Sequence, residues 1–506
     1  MFIIPYFNDN VFILLIILSI RSIILLGDFM ENSIKRKKRF EIDMCNGNLF
    51  TKIIIFSIPL MLMGMLQLLY NAADLIVVGK FGDDPNALGA VGSTASLINL
   101  VVTLFMGLSV GTNVSVAKLL GAKDYDRVGK VVHTSILISI IVGTFLGVFG
   151  FFFAETLLEM MHNDLPQSVV YLKIYFIGMP FNMLYNFAAA VLRAVGDTKR
   201  PLYFLTISGI VNVILNLIFV IFFNLNVEGV ALATVISQVL SCILIMVALY
   251  KSDECYRFRF NELKIDKNEL LEITKIGLPA GIQSSIFSIS NVIIQSSVNQ
   301  FGAIAMNGNA AASSVEGFVY TAMNSVYHAS LAFTSQNVGA KKINNIKKSM
   351  WYSLIIVTMF ALALGVPLFL FGRSALKLYT SDLDSIEVGF IRLHYLCLPY
   401  FLCGIMDVMV GVLRGIGYST IPMIVSIVGV CGFRVAWIFG IFYQNTNFTN
   451  VNDLHLLYAS YPISWIITFT VHLICYFILS KKVFRIINDD LILSELHMEN
   501  EKSYFE

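Results

Sequence analysis

Residues Leu192–Pro201 read LRAVGDTKRP, and residues Leu413–Pro422 read LRGIGYSTIP. Each pairs a Leu-Arg with a glycine-centred turn and a proline that opens the next apolar run, the pattern of a helix stopping and another starting. Working outward from both copies, other features return in the same order. SIPLMLMGMLQLLYNAADLIVVGKFG, from Ser57, returns as GLPAGIQSSIFSISNVIIQSSVNQFG, from Gly277. GAKDYDRVGK at Gly121 returns as GAKKINNIKK at Gly339, and YLKIYFIGMP at Tyr171 as FIRLHYLCLP at Phe390, which aligns Lys173 with Arg392. Any one match is weak, but four in order identify an internal duplication.

Each half carries apolar runs of about 20 residues, the length that crosses a bilayer as a helix. They begin near Ile53, Ala90, Val128, Val169, Pro201 and Gly229, then Ile273, Ala311, Ser349, Val388, Ile421 and Leu456. Composition agrees: 57% of the 506 residues are hydrophobic and only 13% charged, against roughly 25% charged in soluble domains. The expected fold is an all-α integral membrane protein, twelve transmembrane helices in two pseudo-symmetric six-helix lobes. With six spans each, the halves enter the membrane the same way up and are related by an axis along its normal. The expected segments are an N-terminal extension with a basic stretch (1–50), a first lobe (51–250), a linker (251–272), a second lobe (273–480) and a tail (481–506).

Lysine and arginine orient the bundle. They crowd into KRKKR (Lys35–Arg39), the even-numbered joints, the linker and the tail, whereas the odd joints and their flanks hold only Lys80, Lys173, Arg373, Lys377 and Arg392. Both termini are therefore expected in the cytoplasm of a cell bounded by this inner (plasma) membrane, with Lys341 inside and Asn445 outside. The leading stretch VFILLIILSIRSIILLG is short, contains Arg21 and lacks a small-residue cleavage site. Met30 is the expected natural start, leaving residues 1–29 dispensable.

The formal net charge is only +2, so no basic field invites nucleic acid. The cysteines form no CxxC pair and the histidines no metal spacing. No nucleotide-binding or nucleophile motif is present, so no enzyme is expected and no cofactor beyond a coupling ion. Duplicated helical halves meet at a central cavity and rock to give alternating access. Within this apolar chain Asp74, in YNAADLIVVGKFG, has no basic neighbour in sequence. A mid-membrane aspartate costs about 2.5–3.5 kcal/mol on insertion scales, which suits a group that cycles a cation. Asp407 on span 10 is a candidate for substrate contact or for a pair with Arg434 on span 11. Glu316 lies near a span end, where it can reach water. His328 lies mid-span. Arg193 and Arg414 read as caps on the carbonyls ending their helices. The Met and Phe residues are expected to give the cavity mostly apolar walls.

The segments NAADLIVVGKFG, LRAVGDTKRP with LRGIGYSTIP, NVILN, EGVALATVISQ and SQNVGAKK resemble the multidrug and toxic compound extrusion (MATE) family, over about Asp43–Arg485. The resemblance implies a two-lobe exporter of amphipathic organic cations and drugs in exchange for H+ or Na+, acting as a monomer in the lipid bilayer. It also implies an N-lobe cation site, carried here by Asp74, Asn212, Asn216 and Thr234, the same residues serving as metal ligands if the ion is sodium. The family has an aspartate where this chain has Asn216. Asn71, Asn182, Asn186, Glu316, His328 and Asp407 are the candidates for the substrate cavity. The rival reading is an exporter or flippase of lipid-linked or polysaccharide substrates, which calls for a basic cavity.

Overall fold

The computed structural model describes residues 40–81, 87–161 and 165–503; the expectations about residues 1–29 and Met30 lie outside them. The described residues are helical throughout, with no strand. The first half runs α1 (Leu49–Phe81), α2 (Ala87–Gly121), α3 (Tyr125–Glu159), α4 (Pro166–Ile177), α5 (Met179–Ala194), α6 (Lys199–Phe222) and α7 (Asn226–Tyr250). The second half repeats it: α8 (Lys267–Asn299), α9 (Ala303–Gly339), α10 (Ile343–Leu376), α11 (Leu383–Leu396), α12 (Tyr400–Gly415), α13 (Thr420–Phe442) and α14 (Leu454–Ser503).

Of these, α1, α2, α3, α6, α7, α8, α10, α13 and α14 are each long and apolar enough to cross a membrane. Two further spans are bent pairs, α4–α5 at 48° and α11–α12 at 51°. The bends fall at Gly178-Met179-Pro180 and at Pro399, where proline supplies no N–H to continue the ladder. The twelfth span is α9, 37 residues long but too polar to stand out by composition. It tolerates Asn309, Glu316 and Ser330 because both halves bury it, so these groups find protein partners instead of lipid.

Matching backbone devices mark the duplication. Gly196 (φ 90°) and Gly417 (φ 98°) turn the chain after α5 and α12, and Lys123 (φ 60°) and Lys341 (φ 57°) do so after α2 and α9. Both α6 and α13 end in a π-helical turn.

The halves seal against each other at the end bearing the basic joints, called here the basic end. Gly107 and Gly111 of α2 lie against the backbone of Gly277, Gly281 and Ile273 of α8. The ends of α2 and α9 meet symmetrically, Gly121 on Gln336 and Gly339 on Lys118. Missing side chains allow this backbone approach, the means by which helices associate in lipid. The first turns of α1 join the second half's core through Leu49, Ile53, Phe56 and Leu60, while Ile273 of α8 joins the first half's core. Each half thus lends the start of its first helix to the other.

Candidate functional site

Above this seal a cavity of about 550 Å³ lies between α1, α4–α7 and, from the other half, α9. Asp74 stands on its wall, 8% exposed. On α6, Asn212 and Asn216 are one turn apart and so share a face. Asn216 Nδ2 donates to Asp74 Oδ1 at 2.5 Å and to Asn212 Oδ1 at 3.3 Å. Asn212 Nδ2 reaches Thr234 Oγ1 on α7 at 3.4 Å, and the Thr234 hydroxyl lies close to Asp74. The four residues that the resemblance singled out therefore form one network across three helices. Asp74's hydrogen-bond partners in it are neutral, and Asn216 Oδ1 is buried with no partner.

A carboxylate held by neutral groups in a low-dielectric wall favours a bound proton or cation over an empty charged state. Asp74, the two amide oxygens and the Thr234 hydroxyl are hard oxygen donors that fit a monovalent cation. No group of three or more His, Cys, Asp or Glu suited to a metal ion occurs among the described residues.

The remaining expectations divide. Asn71, Asn182, Asn186 and His328 all line the cavity, with Asn186 Nδ2 donating to Asn182 O at 2.8 Å. Glu316 does not line it, nor does it reach water. It is 7% exposed and ion-paired inside the second half with Arg392, whose Nε donates at 3.1 Å. Arg392 Nη1 also donates to Asn309 Oδ1 at 2.7 Å, which accepts from Tyr458 at 2.8 Å. The arginine on α11 and the glutamate on α9 meet because the two helices pack side by side.

Asp407 is also absent from the cavity wall; it lies beside Tyr320, which does line it, and Cys403, with Arg414 the nearby basic group. It forms no pair with Arg434. That guanidinium faces α14, where it stacks 4.0 Å above Tyr461 and donates to Ser464 at 3.1 Å.

Arg193 and Arg414 are not caps. The backbone closes both helix ends itself: Gly196 N–H donates to Arg193 O at 3.1 Å and Asp197 N–H to Leu192 O at 2.9 Å. In the second copy Gly417 N–H reaches Arg414 O and Tyr418 N–H reaches Leu413 O, both at 2.9 Å. With the carbonyls satisfied, the side chains turn inward. Arg414 donates to Tyr327 Oη at 2.6 Å and Gln283 Oε1 at 2.8 Å. Arg193 lines the cavity. Many polar side chains interrupt the apolar surface of the walls: Gln67, Tyr70, Tyr171, Tyr175, Gln238 and Asn324 join the residues above. One signal for Arg193 was present in the sequence. Asn182, Asn186 and Arg193 recur on a single face of α5.

The sequence profile of the MatE family matches residues 59–218 and 279–439. Among curated relatives, "Probable multidrug resistance protein YoeA" of Bacillus subtilis is 27% identical over 394 residues, covering 75% of this chain and 84% of that protein. "FAD transporter" of Shewanella oneidensis is 24% identical over 349 residues, 67% of this chain and 76% of that protein. A solved structure described as "Outward-facing conformation of a multidrug resistance MATE family transporter of the MOP superfamily" superimposes with TM-score 0.79 at 22% identity, covering 86% of this chain and 97% of that one.

Proposed function

The chain belongs to the MatE family of multidrug efflux transporters, and on that premise we propose that it is a secondary active antiporter. It exports amphipathic organic compounds, organic cations among them, in exchange for H+ or Na+. The supporting observation is the carboxylate of Asp74, set in the cavity wall with neutral hydrogen-bond partners. A proton needs only the carboxylate. A sodium ion would also draw on Asn212, Asn216 and Thr234; Asn216 Oδ1 is a buried oxygen without a hydrogen-bond partner.

The cycle follows from rocking of the halves about the cavity. Open to the outside, Asp74 takes up its ion as substrate leaves; open to the cytoplasm, it releases the ion and substrate enters. One charge moving down a potential of 100 mV supplies about 2.3 kcal/mol. The basic end is the cytoplasmic end, the membrane is the plasma membrane and the working unit is a monomer. Cysteines placed at positions 341 and 445 check the orientation: an impermeant thiol reagent added outside cells should label position 445 and spare 341.

Transport is tested in vesicles reconstituted with the purified protein, with dye efflux followed under imposed proton or sodium gradients. Gradient-dependent efflux supports the antiporter, and the gradient that drives it names the ion. Efflux that ignores both gradients would overturn the proposal.

A further inference from the structure

Arg193 is 8% exposed and lines the cavity, yet no acceptor meets its buried Nε. The charged or ionisable groups nearest to it are Tyr185, Tyr327 and His328, none of them an acid. Its level in the cavity can be fixed. His328 lies on α9 between Thr321, which meets Gly64, and Phe333, which stacks edge-on against Phe56, so it stands near Leu60 of α1. At about 1.5 Å per residue, Asp74 is roughly 20 Å further along α1. Asp74 is the only carboxylate on the described wall. The cavity is therefore polarised, with an acid toward one end and an uncompensated guanidinium at the basic end.

The duplication explains why the charge is left over. Arg414, in the matching position, also leaves its Nε without an acceptor, but it has Asp407 two turns earlier on its helix as a nearby carboxylate, and its two terminal nitrogens donate to Tyr327 and Gln283. Two turns before Arg193 stands Asn186, which is neutral and bonded to Asn182. A buried cation without counter-charge is costly, and a guanidinium on a cavity wall presents a fork of donors matched to carboxylate or phosphate.

We infer that Arg193 forms an oxyanion subsite at the basic end of the cavity, and that the exported molecule carries a carboxylate or phosphate on its amphipathic body. Tyr185, Asn186 and His328 border this subsite. The inference rests on the cavity being the transport path. It narrows the substrate class from amphipathic organic compounds at large to those that carry an acidic group, zwitterions included. A phospholipid headgroup offers the same oxyanion, and the test separates the two sources.

The test compares a xanthene dye bearing a free carboxylate with its methyl ester, in vesicles of purified wild type, Arg193→Gln, Arg193→Lys and Asn186→Asp. Wild type should prefer the acid over the ester by about tenfold or more in kcat/KM, the ratio expected for one charged hydrogen bond. Arg193→Gln should remove that preference and Arg193→Lys restore part of it. Asn186→Asp should also remove it, by giving Arg193 the carboxylate that Arg414 already has. Size-exclusion elution as a single symmetric peak identifies the folded variants. A wild type that moves acid and ester alike and shows no Arg193-dependent flipping of a fluorescent phospholipid, or folded variants that keep the wild-type preference, would overturn the inference while leaving export intact. No movement of either dye under any gradient would instead fail the export reading. Arg193-dependent flipping of a fluorescent phospholipid, with no dye preference, would uphold the subsite and assign its oxyanion to a lipid.

Discussion

The two halves share a backbone and differ in their wiring. Both bend at the same proline-marked point, both turn at a left-handed glycine, and both end a span in a π turn. In the second half, however, the buried charges of Glu316 and Arg392 satisfy each other, with Asn309 and Tyr458 taking part. In the first half, Asp74 has neutral partners and Arg193 has an open Nε. A low-dielectric interior penalises an unpaired charge far more than a paired one. That pair ties α9 to α11 in the second half, whereas Asp74 and Arg193 of the first half lack a charged partner and line the cavity.

Substitutions can break this contrast, the largest effect coming first. Glu316→Gln removes one partner of a buried pair and strands Arg392. It should destabilise the protein by about 3–5 kcal/mol, seen as a lower unfolding midpoint in detergent. Glu316→Leu combined with Arg392→Met should recover most of that loss, since an apolar pair of similar volume carries no desolvation penalty. If the single substitution left the midpoint unchanged, the second half would not depend on this pair.

Next in size is the seal. A side chain at Gly281 would collide with the backbone of Leu104 on α2. Gly281→Val should cost about 1–3 kcal/mol by overpacking and should disfavour the state closed at the basic end. Faster labelling of a cysteine introduced at Ser325, within the cavity, from the basic side of inverted vesicles would report it. Unchanged labelling would mean that the glycine contact is not the gate.

A smaller change sharpens the ion site. Asn216→Asp places a second carboxylate beside Asp74 and should shift efflux toward sodium dependence, measured as transport with and without sodium at fixed pH. Equal sodium response in both proteins would exclude Asn216 from the site. The smallest effect is expected at Lys341, whose ion pair with Asp490 at 3.2 Å is exposed. Lys341→Ala should change stability by less than about 1 kcal/mol.

Much of this architecture could be read from the sequence, because it rests on local rules. Apolar run length, Pro180, Pro399, Gly196 and Gly417 each act within their own segment. Asp74 stood out in the sequence by itself, but its grouping with Asn212, Asn216 and Thr234 as a proposed cation site was readable only through family resemblance, since Asp74 and Asn216 lie on different helices and nothing local joins them. The pair Glu316–Arg392 was hidden for the same reason: which faces of α9 and α11 meet depends on helix rotation. Asp407 and Arg434 failed as a pair because Arg434 turns toward Tyr461 and Ser464 instead. Arg193 misled in another way. A cap was locally sensible, but the glycine turn satisfies those carbonyls with backbone N–H groups and releases the arginine into the cavity.

The central claim is that Asp74 carries the coupling ion. Its most direct test is dye efflux by Asp74→Asn in reconstituted vesicles, at protein levels matched to wild type and under an imposed proton or sodium gradient. The neutral isostere should insert and fold, because it removes the cost of burying a charge, yet gradient-driven efflux should be lost, with Asp74→Glu keeping part of it. Efflux by Asp74→Asn at the wild-type rate, still driven by the gradient, would contradict the account and make the aspartate structural.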